Sequence, residues 1–425
     1  MTRPPFSYSF SDMIRVDEAL KTILDTVVPL PVEKVNILAA LGRVLGEDIV
    51  APRHLPPTNN SSMDGYAVRA SDTGGAKSTR PVILNVIEDI PAGTVPQKAL
   101  TAGQASRIMT GALLPEGADA VVRMEDTQKD GHQVHIHVEA RQGLDIRLAG
   151  EDVQEGETVI FSGSAIRPAE VGMMAALGRS FVSVYQRPVV AILATGDELV
   201  DIDEPPSSWK IISSNSYATA AQVIESGAAV LQLGIVKDRR ENLIEKFRAA
   251  TRADLIISSG GVSVGDYDLV KDIMKEVGNA MQFWQVAMRP GKPLAFGSIQ
   301  GVPVFGLPGN PVSSMISFEQ FVRPTILKMM GHKNLYRKMI RAILEGDLEK
   351  REGMRYFMRG QIRWEAGRYY VRSTGEQGSG ILKSMVRANG LIVLPEQTTL
   401  FRKGEEVFVQ LLDRSMEQTD HPDYA

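Results

Sequence analysis

Between Pro188 and Met330, short apolar runs alternate with amphipathic stretches, and this alternation restricts the fold more than any other feature of the chain. The runs Val189 to Ala194, Val230 to Val236, Leu255 to Ser258 and Val302 to Leu307 have the length and apolar character of strands buried on both faces. Tyr217 to Ser226, Glu241 to Thr251, Leu269 to Val277 and Val312 to Met330 read as the helices between them. Strands alternating with helices predict a mostly parallel sheet with right-handed crossovers. In such sheets ligands sit beyond the carboxyl ends of the strands, so the loops there are where chemistry is expected.

The flanks have a different texture. Val16, Leu20, Ile23, Leu24 and Val27 share one helical face, with Asp17 and Glu18 at the dipole-favoured start. A second amphipathic stretch surrounds Leu38, Leu41 and Leu45. From Ala51 to Leu144, β-like runs such as Val82 to Val86 and Gln133 to Val138 are separated by Gly, Pro and Asp turns. The runs Tyr369 to Arg372, Leu391 to Leu394 and Glu406 to Leu411 predict another small β domain at the C-terminus. The expected fold class is a multidomain α/β plus β protein. Its parts are a discontinuous helical linking domain (12–50 and 145–187), a β-rich insertion (51–144), the α/β domain (188–330) and a barrel-like β domain (331–425).

Composition removes several functions. Among 425 residues there is no cysteine, which excludes disulfides, thiolate metal sites and a cysteine nucleophile. Lys and Arg total 47 against 51 Asp and Glu, a net charge of −4 that argues against a general nucleic-acid binder. The longest charge-free stretch, the 26 residues from Pro293 to Phe318, holds four prolines and four glycines and does not read as a membrane span. The N-terminus lacks the apolar core of a signal peptide, so a cytoplasmic location is expected. His132, His135 and His137 lie close in sequence but lack a carboxylate at zinc-site spacing, and read as a solvated strand face.

The strand-end loops carry unusual residue sets. Thr195-Gly196-Asp197-Glu198-Leu199 places two carboxylates where they could hold a cation or move a proton. Ser259-Gly260-Gly261-Val262-Ser263-Val264-Gly265-Asp266-Tyr267-Asp268 has the glycines and hydroxyls of a phosphate cradle, while its two aspartates suit a divalent ion or simple helix caps. It matches neither a dinucleotide-binding nor a P-loop motif. Pro308-Gly309-Asn310-Pro311 opens a helix, with Asn310 expected as cap and Pro311 in the first turn. Arg289-Pro290-Gly291-Lys292 brackets a rigid turn with two cations, a planar fork and a point charge suited to an oxoanion. Each loop also has an ordinary structural explanation as a turn or cap.

Together these segments resemble the molybdopterin molybdenumtransferase family, which includes the MoeA proteins and the gephyrin E-domain. The resemblance rests on eight motifs in the family's order. They are Ser62-Met63-Asp64-Gly65-Tyr66-Ala67, Arg107-Ile108-Met109-Thr110-Gly111-Ala112, Gly117-Ala118-Asp119-Ala120-Val121-Val122 and Gly150-Glu151-Asp152, then the two glycine-containing strand-end loops, the Arg289 loop and Gly306 to Ser313. It implies a homodimer whose α/β domain is like that of the molybdopterin adenylyltransferases. The implied reaction is insertion of molybdate into adenylylated molybdopterin with Mg²⁺-dependent release of AMP.

By the resemblance, Asp64, Thr110, Asp152, Glu198, Asp238 and Asp268 fall on catalytic positions, and Glu198, Asp266 and Asp268 on metal ligands. Gly260, Gly261, Ser263, Gly265, Arg289, Lys292, Pro308, Asn310, Pro311, Arg359 and Ser379 would bind substrate, the last two from the partner subunit. A molybdopterin adenylyltransferase and molybdoenzyme maturation factors are the protein partners the resemblance suggests. Gln285 stands where the family often has Lys, Arg289 where Lys is also common, and Ser213 where Asp or Asn is usual. The alternative reading is a non-catalytic scaffold or carrier of the same fold, and tungstate remains an alternative to molybdate.

Overall fold

The structure, a computed structural model, describes residues 13–205, 207–237, 239–260 and 269–412. The chain divides into two compact units, one of residues 1–35, 42–46 and 183–425, the other of 36–41 and 47–182.

In the first unit, helix α1 (Val16–Thr26) buries Val16, Ala19, Ile23 and Leu24 and exposes its charged face, as its period predicts. The central sheet holds β1 (Val189–Thr195), β2 (Ala229–Val236), β3 (Leu255–Ser259), β4 (Asn279–Gln285), β5 (Pro293–Ile299) and β6 (Val302–Leu307). Their spatial order is β2-β1-β3-β6-β5-β4. The first four strands pair in parallel, and β5 and β4 complete the edge antiparallel, so the sheet is mixed.

Helices cover both faces. On one, Val190, Ile192, Leu255, Ile257 and Phe305 pack with Ala220 and Val223 of α2 (Ser214–Glu225). On the other, Ala191, Leu193, Ile256 and Val304 pack with Leu243 and Phe247 of α3 (Arg240–Ala250) and Ile273 of α4 (Leu269–Val277). This two-sided burial is why the strands read as unbroken apolar runs. Each large side chain so buried contributes about 1.5–3 kcal/mol.

Two local expectations are corrected. The stretch from Val312 to Met330 is not one α-helix. It comprises α5 (Pro311–Ser317), a π-turn at Phe318–Val322 and α6 (Arg323–Met329). Pro324 has no N–H to donate back to Gln320, so the α ladder cannot continue through it. The amphipathic stretch at Leu38 and Leu41 forms turns rather than a helix, and Leu38 is 75% exposed.

Five further strands, β7 (Met339–Leu344), β8 (Arg355–Glu365), β9 (Arg368–Ser373), β10 (Gly390–Leu394) and β11 (Glu406–Leu411), pair as β8-β9-β7-β11-β10 and back to β8. This closed ring has Ile340, Leu344, Ile362, Val371, Ile392 and Val409 in its core. Closure removes the free sheet edges that an open meander would leave.

The second unit centres on a six-stranded sheet. Its order is Ala120–Arg123, Gly65–Val68, Gln104–Ile108, Val82–Ile90, Gln133–Ile136 and Thr127–Asp130. His135 lies on its fifth strand, with Nε2 4.0 Å from Asp130. Among the described residues no group of three or more His, Asp or Glu is placed to hold a metal. No described helix is long and apolar enough to cross a membrane.

Candidate active site

The carboxyl ends of β1, β3 and β6 meet, as the parallel register requires. Ala194 pairs with Ser259, and Ser259 with Leu307. Gly260 follows with φ +94°, a conformation that side chains avoid. A Cβ there would stand 2.8 Å from the Thr195 carbonyl oxygen. The Gly260 N–H donates to the Leu307 carbonyl at 3.1 Å. Asn215, in the first turn of α2, donates to Ser259 Oγ at 3.0 Å and to the Gly309 carbonyl at 2.8 Å. Thr195 Oγ1 and Ser258 Oγ are buried at the same strand ends and have no hydrogen-bond partner among the described residues. Glu198 is exposed just beyond β1, its carboxylate over the α-carbon of Gly196.

A second group of sequence-selected residues meets around the Arg289 loop. Arg289, Lys292, Ser379, Arg351 and Gln377 line a cavity of about 430 Å³ that, among the described residues, has no carboxylate in its wall. A neighbouring cavity of about 560 Å³ shares Arg289, Arg351 and Gln377 and adds Lys350, Arg359 and one acid, Glu349. Gly291 (φ +101°) lets the turn press against α5, since a Cβ there would stand 2.6 Å from Ser317 Oγ. The Val312 N–H donates to the Ser379 carbonyl at 3.1 Å, tying α5 to the segment before β10.

Arg359 is 1% exposed. Its guanidinium donates to Ser384 Oγ and the Gly378 carbonyl, both at 3.0 Å. Among the described residues it has no carboxylate partner, and burial alone pushes it down to about 10. A buried cation without a counter-ion costs stability, which an arriving anion would restore.

Lys350 is spent differently. Its Nζ donates to the carbonyls of Arg351, Met354 and Glu396.

In the other unit, Asp64 and Thr110 are brought together. Both the Thr110 N–H and its hydroxyl donate to Asp64 Oδ1, each at 2.7 Å. These bonds, with a smaller contribution from Arg107, hold the exposed Asp64 carboxyl below its ordinary range. Gly65 is required beside it, because a Cβ there would run into the Val122 carbonyl of the neighbouring strand. Asp152 is exposed, its N–H donating to the Leu55 carbonyl at 3.0 Å.

Several expectations meet the structure unevenly. Asp238, Gly261, Ser263, Gly265, Asp266 and Asp268 lie outside the described residues. Asn310 precedes α5 but makes no side-chain cap. The corresponding N–H of Val312 is taken by Ser379 instead. Pro311 occupies the first helical turn, and Pro308 lies in the loop after β6. Arg359 and Ser379, expected to serve a partner's site, line cavities with Arg289 of their own chain. Asn215, Arg351 and Gln377 were not singled out from sequence. Lys350-Arg351 is a basic pair that could have drawn attention, whereas Asn215 gains its meaning only from the fold.

The chain was compared with known proteins. Residues 14–178 match the MoeA N-terminal region (domain I and II), 191–328 a probable molybdopterin binding domain, and 341–412 the MoeA C-terminal region (domain IV). A Mycobacterium tuberculosis protein named molybdopterin molybdenumtransferase 2 is 41% identical over 385 residues, 88% of this chain and 94% of the relative. The chain belongs to the molybdopterin molybdenumtransferase family. A family member from Haemophilus influenzae is 36% identical over 403 residues, 94% of this chain and 98% of its own. The MoeA crystal structure from Pyrococcus horikoshii superposes with a TM-score of 0.81 at 33% identity, covering 94% of this chain and 100% of that one. The family relationship thus spans both units.

Proposed function

We propose that this protein inserts molybdate into adenylylated molybdopterin and releases AMP, a step of molybdenum cofactor biosynthesis. The observation that carries the reading is the cavity around Arg289, Lys292 and Arg351, whose wall, among the described residues, holds three cations and no acid. An oxoanion is the ligand such a wall favours. Arg359, buried without a counter-ion, strengthens that preference in the adjoining cavity. The Gly260 turn and the Asn310–Pro311 helix start would receive the substrate's phosphates. Asp64, kept ionised by Thr110, would supply a fixed negative charge for its catalytic role. Asp152, Asp238 and Asp268 take catalytic roles by their positions in the family's motifs.

The chain offers oxygen donors and no thiol, which fits a hard cation such as Mg²⁺. Glu198 is exposed, and with Asp266 and Asp268 it would hold that ion. The ion would neutralise charge on the phosphoanhydride. Any sulfur that ligates molybdenum must come from the pterin substrate, since the protein has no cysteine.

The reading extends to a homodimer, to the four-part domain division and adenylyltransferase-like α/β domain expected from sequence, and to a cytoplasmic location. A molybdopterin adenylyltransferase would supply the substrate, and molybdoenzyme maturation factors would accept the product. The test is to supply adenylylated molybdopterin, molybdate and Mg²⁺ and measure AMP. Release should depend on molybdate and be abolished in Asp64→Asn, and full release by that folded variant would remove Asp64 from the mechanism.

A further inference from the structure

We infer that Asn215 is a positioning residue that holds the nucleotide-phosphate end of the site in its receptive shape, a reading that rests on the proposed function. An amide NH₂ has two protons to donate. Asn215 spends one on Ser259 Oγ at the end of β3 and the other on the Gly309 carbonyl after β6. Its partners are 44 and 94 residues away in sequence, so neither bond belongs to the helix that carries it. Asn residues at helix starts usually bond their own backbone. This one instead ties two strand ends together.

What it ties is a close approach at the sheet edge. Gly260 follows Ser259 directly, has φ +94°, and lies against Thr195. A Cβ on Gly309 would lie 3.9 Å from Gly260 Cα, so the two loops are already in close approach. The Gly260 N–H bond to the Leu307 carbonyl joins the same two segments. Asn215 therefore restricts the loop pair from the α2 side. A second observation marks the same place as built for a ligand. Thr195 Oγ1, at the end of β1, and Ser258 Oγ, at the end of β3, are buried hydroxyls with no partner among the described residues, on the sheet face opposite Ser259. Unpaired buried hydroxyls are costly and are retained where something else satisfies them.

The chemistry gives a sharp discriminator. Aspartate has the shape of asparagine but no protons to give, and it would set a carboxylate against the Gly309 carbonyl. Asn215→Asp and Asn215→Ala should both weaken binding of AMP with Mg²⁺, measured calorimetrically on the full chain, by one to two orders of magnitude. Loss of both hydrogen bonds that pre-order the loop pair gives an effect of about this size. In steady-state assays KM for adenylylated molybdopterin should rise while KM for molybdate stays unchanged, a split that loss of folding would not produce. Ser259→Ala, which leaves the bond to Gly309 intact, should cause a smaller loss of AMP affinity, and it decides the matter if Asn215→Asp does not fold. Unchanged AMP affinity in Asn215→Asp, or in Ser259→Ala should that variant be decisive, overturns the inference. If the unsubstituted protein fails to bind AMP, the nucleotide reading of the whole site falls first, and this inference with it.

Discussion

Arg359 provides a direct test of whether the cationic cavities were shaped for an anion at the expense of stability. The side chain is 1% exposed, and burial lowers its pKa from the ordinary arginine range to about 10. At about 1.36 kcal/mol per pH unit, that corresponds to roughly 3 kcal/mol of folding free energy lost while the group is charged. The cavity beside it admits water, so we take about 2 kcal/mol as the effective penalty. The penalty is fully present below pH 10 and relaxes as pH rises from there toward the ordinary value. Replacing Arg359 with Met removes the penalty and two hydrogen bonds worth about 1 kcal/mol each. The two nearly cancel. Arg359→Met should therefore unfold in urea within about 1 kcal/mol of the parent, where truncating a large buried side chain usually costs about 2–5 kcal/mol.

Ligand linkage should move in the opposite direction. Molybdate at one hundred times its Kd should stabilise the parent by about 2.7 kcal/mol. The Met variant should show little of that gain. A variant destabilised by more than 3 kcal/mol that keeps the full molybdate effect would refute the reasoning, because Arg359 would then be a structural residue that the anion ignores.

Other perturbations separate the remaining parts of the account. The Thr110 bonds depress the Asp64 carboxyl, so the contribution of its ionised form is present above the ordinary carboxylate range and lost only as pH falls below it. Thr110→Val removes the hydroxyl bond and should move the acid limb of the AMP-release profile upward, toward the ordinary value, with the fold unchanged by circular dichroism. Gly260→Ala forces a side chain into a left-handed conformation against the Thr195 carbonyl and should cost about 2 kcal/mol in thermal unfolding, with loss of AMP binding. Arg337 donates to Glu319 Oε1 at 2.8 Å and to Glu225 Oε1 at 3.0 Å, and Glu319 is buried. Arg337→Met leaves Glu319 to the longer Arg323 contact at 3.7 Å and should cost about 3 kcal/mol, and adding Glu319→Gln should recover part of it in urea titrations.

Sequence pattern was most legible where burial is two-sided. Val302 to Leu307 reads as a strand and is one with the same ends, because an apolar run of six between turns has few alternatives. Asn279–Gln285 and Pro293–Ile299 were not anticipated. They form the antiparallel edge, where Asn, Gln, Pro and Gly interrupt the apolar signal. The break at Phe318–Val322 follows from Pro324 in hindsight, but proline in a first helical turn is also normal, so the sequence alone does not distinguish a π-turn from a fresh start. For the site, Arg289 and Lys292 were conspicuous because they flank a rigid turn. Asn215 was inconspicuous because its two partners lie on distant segments that only the parallel register brings to it.

The most direct measurement is stoichiometric. Purified protein is incubated with adenylylated molybdopterin, Mg²⁺ and molybdate, and AMP and metal-loaded cofactor are quantified together over time. The account predicts equal amounts of both, AMP release that requires molybdate, and loss of both products when Arg289 and Lys292 are replaced by Gln. Active substrate that yields no AMP, or metal-loaded cofactor formed at the parent rate by the folded double variant, would contradict it.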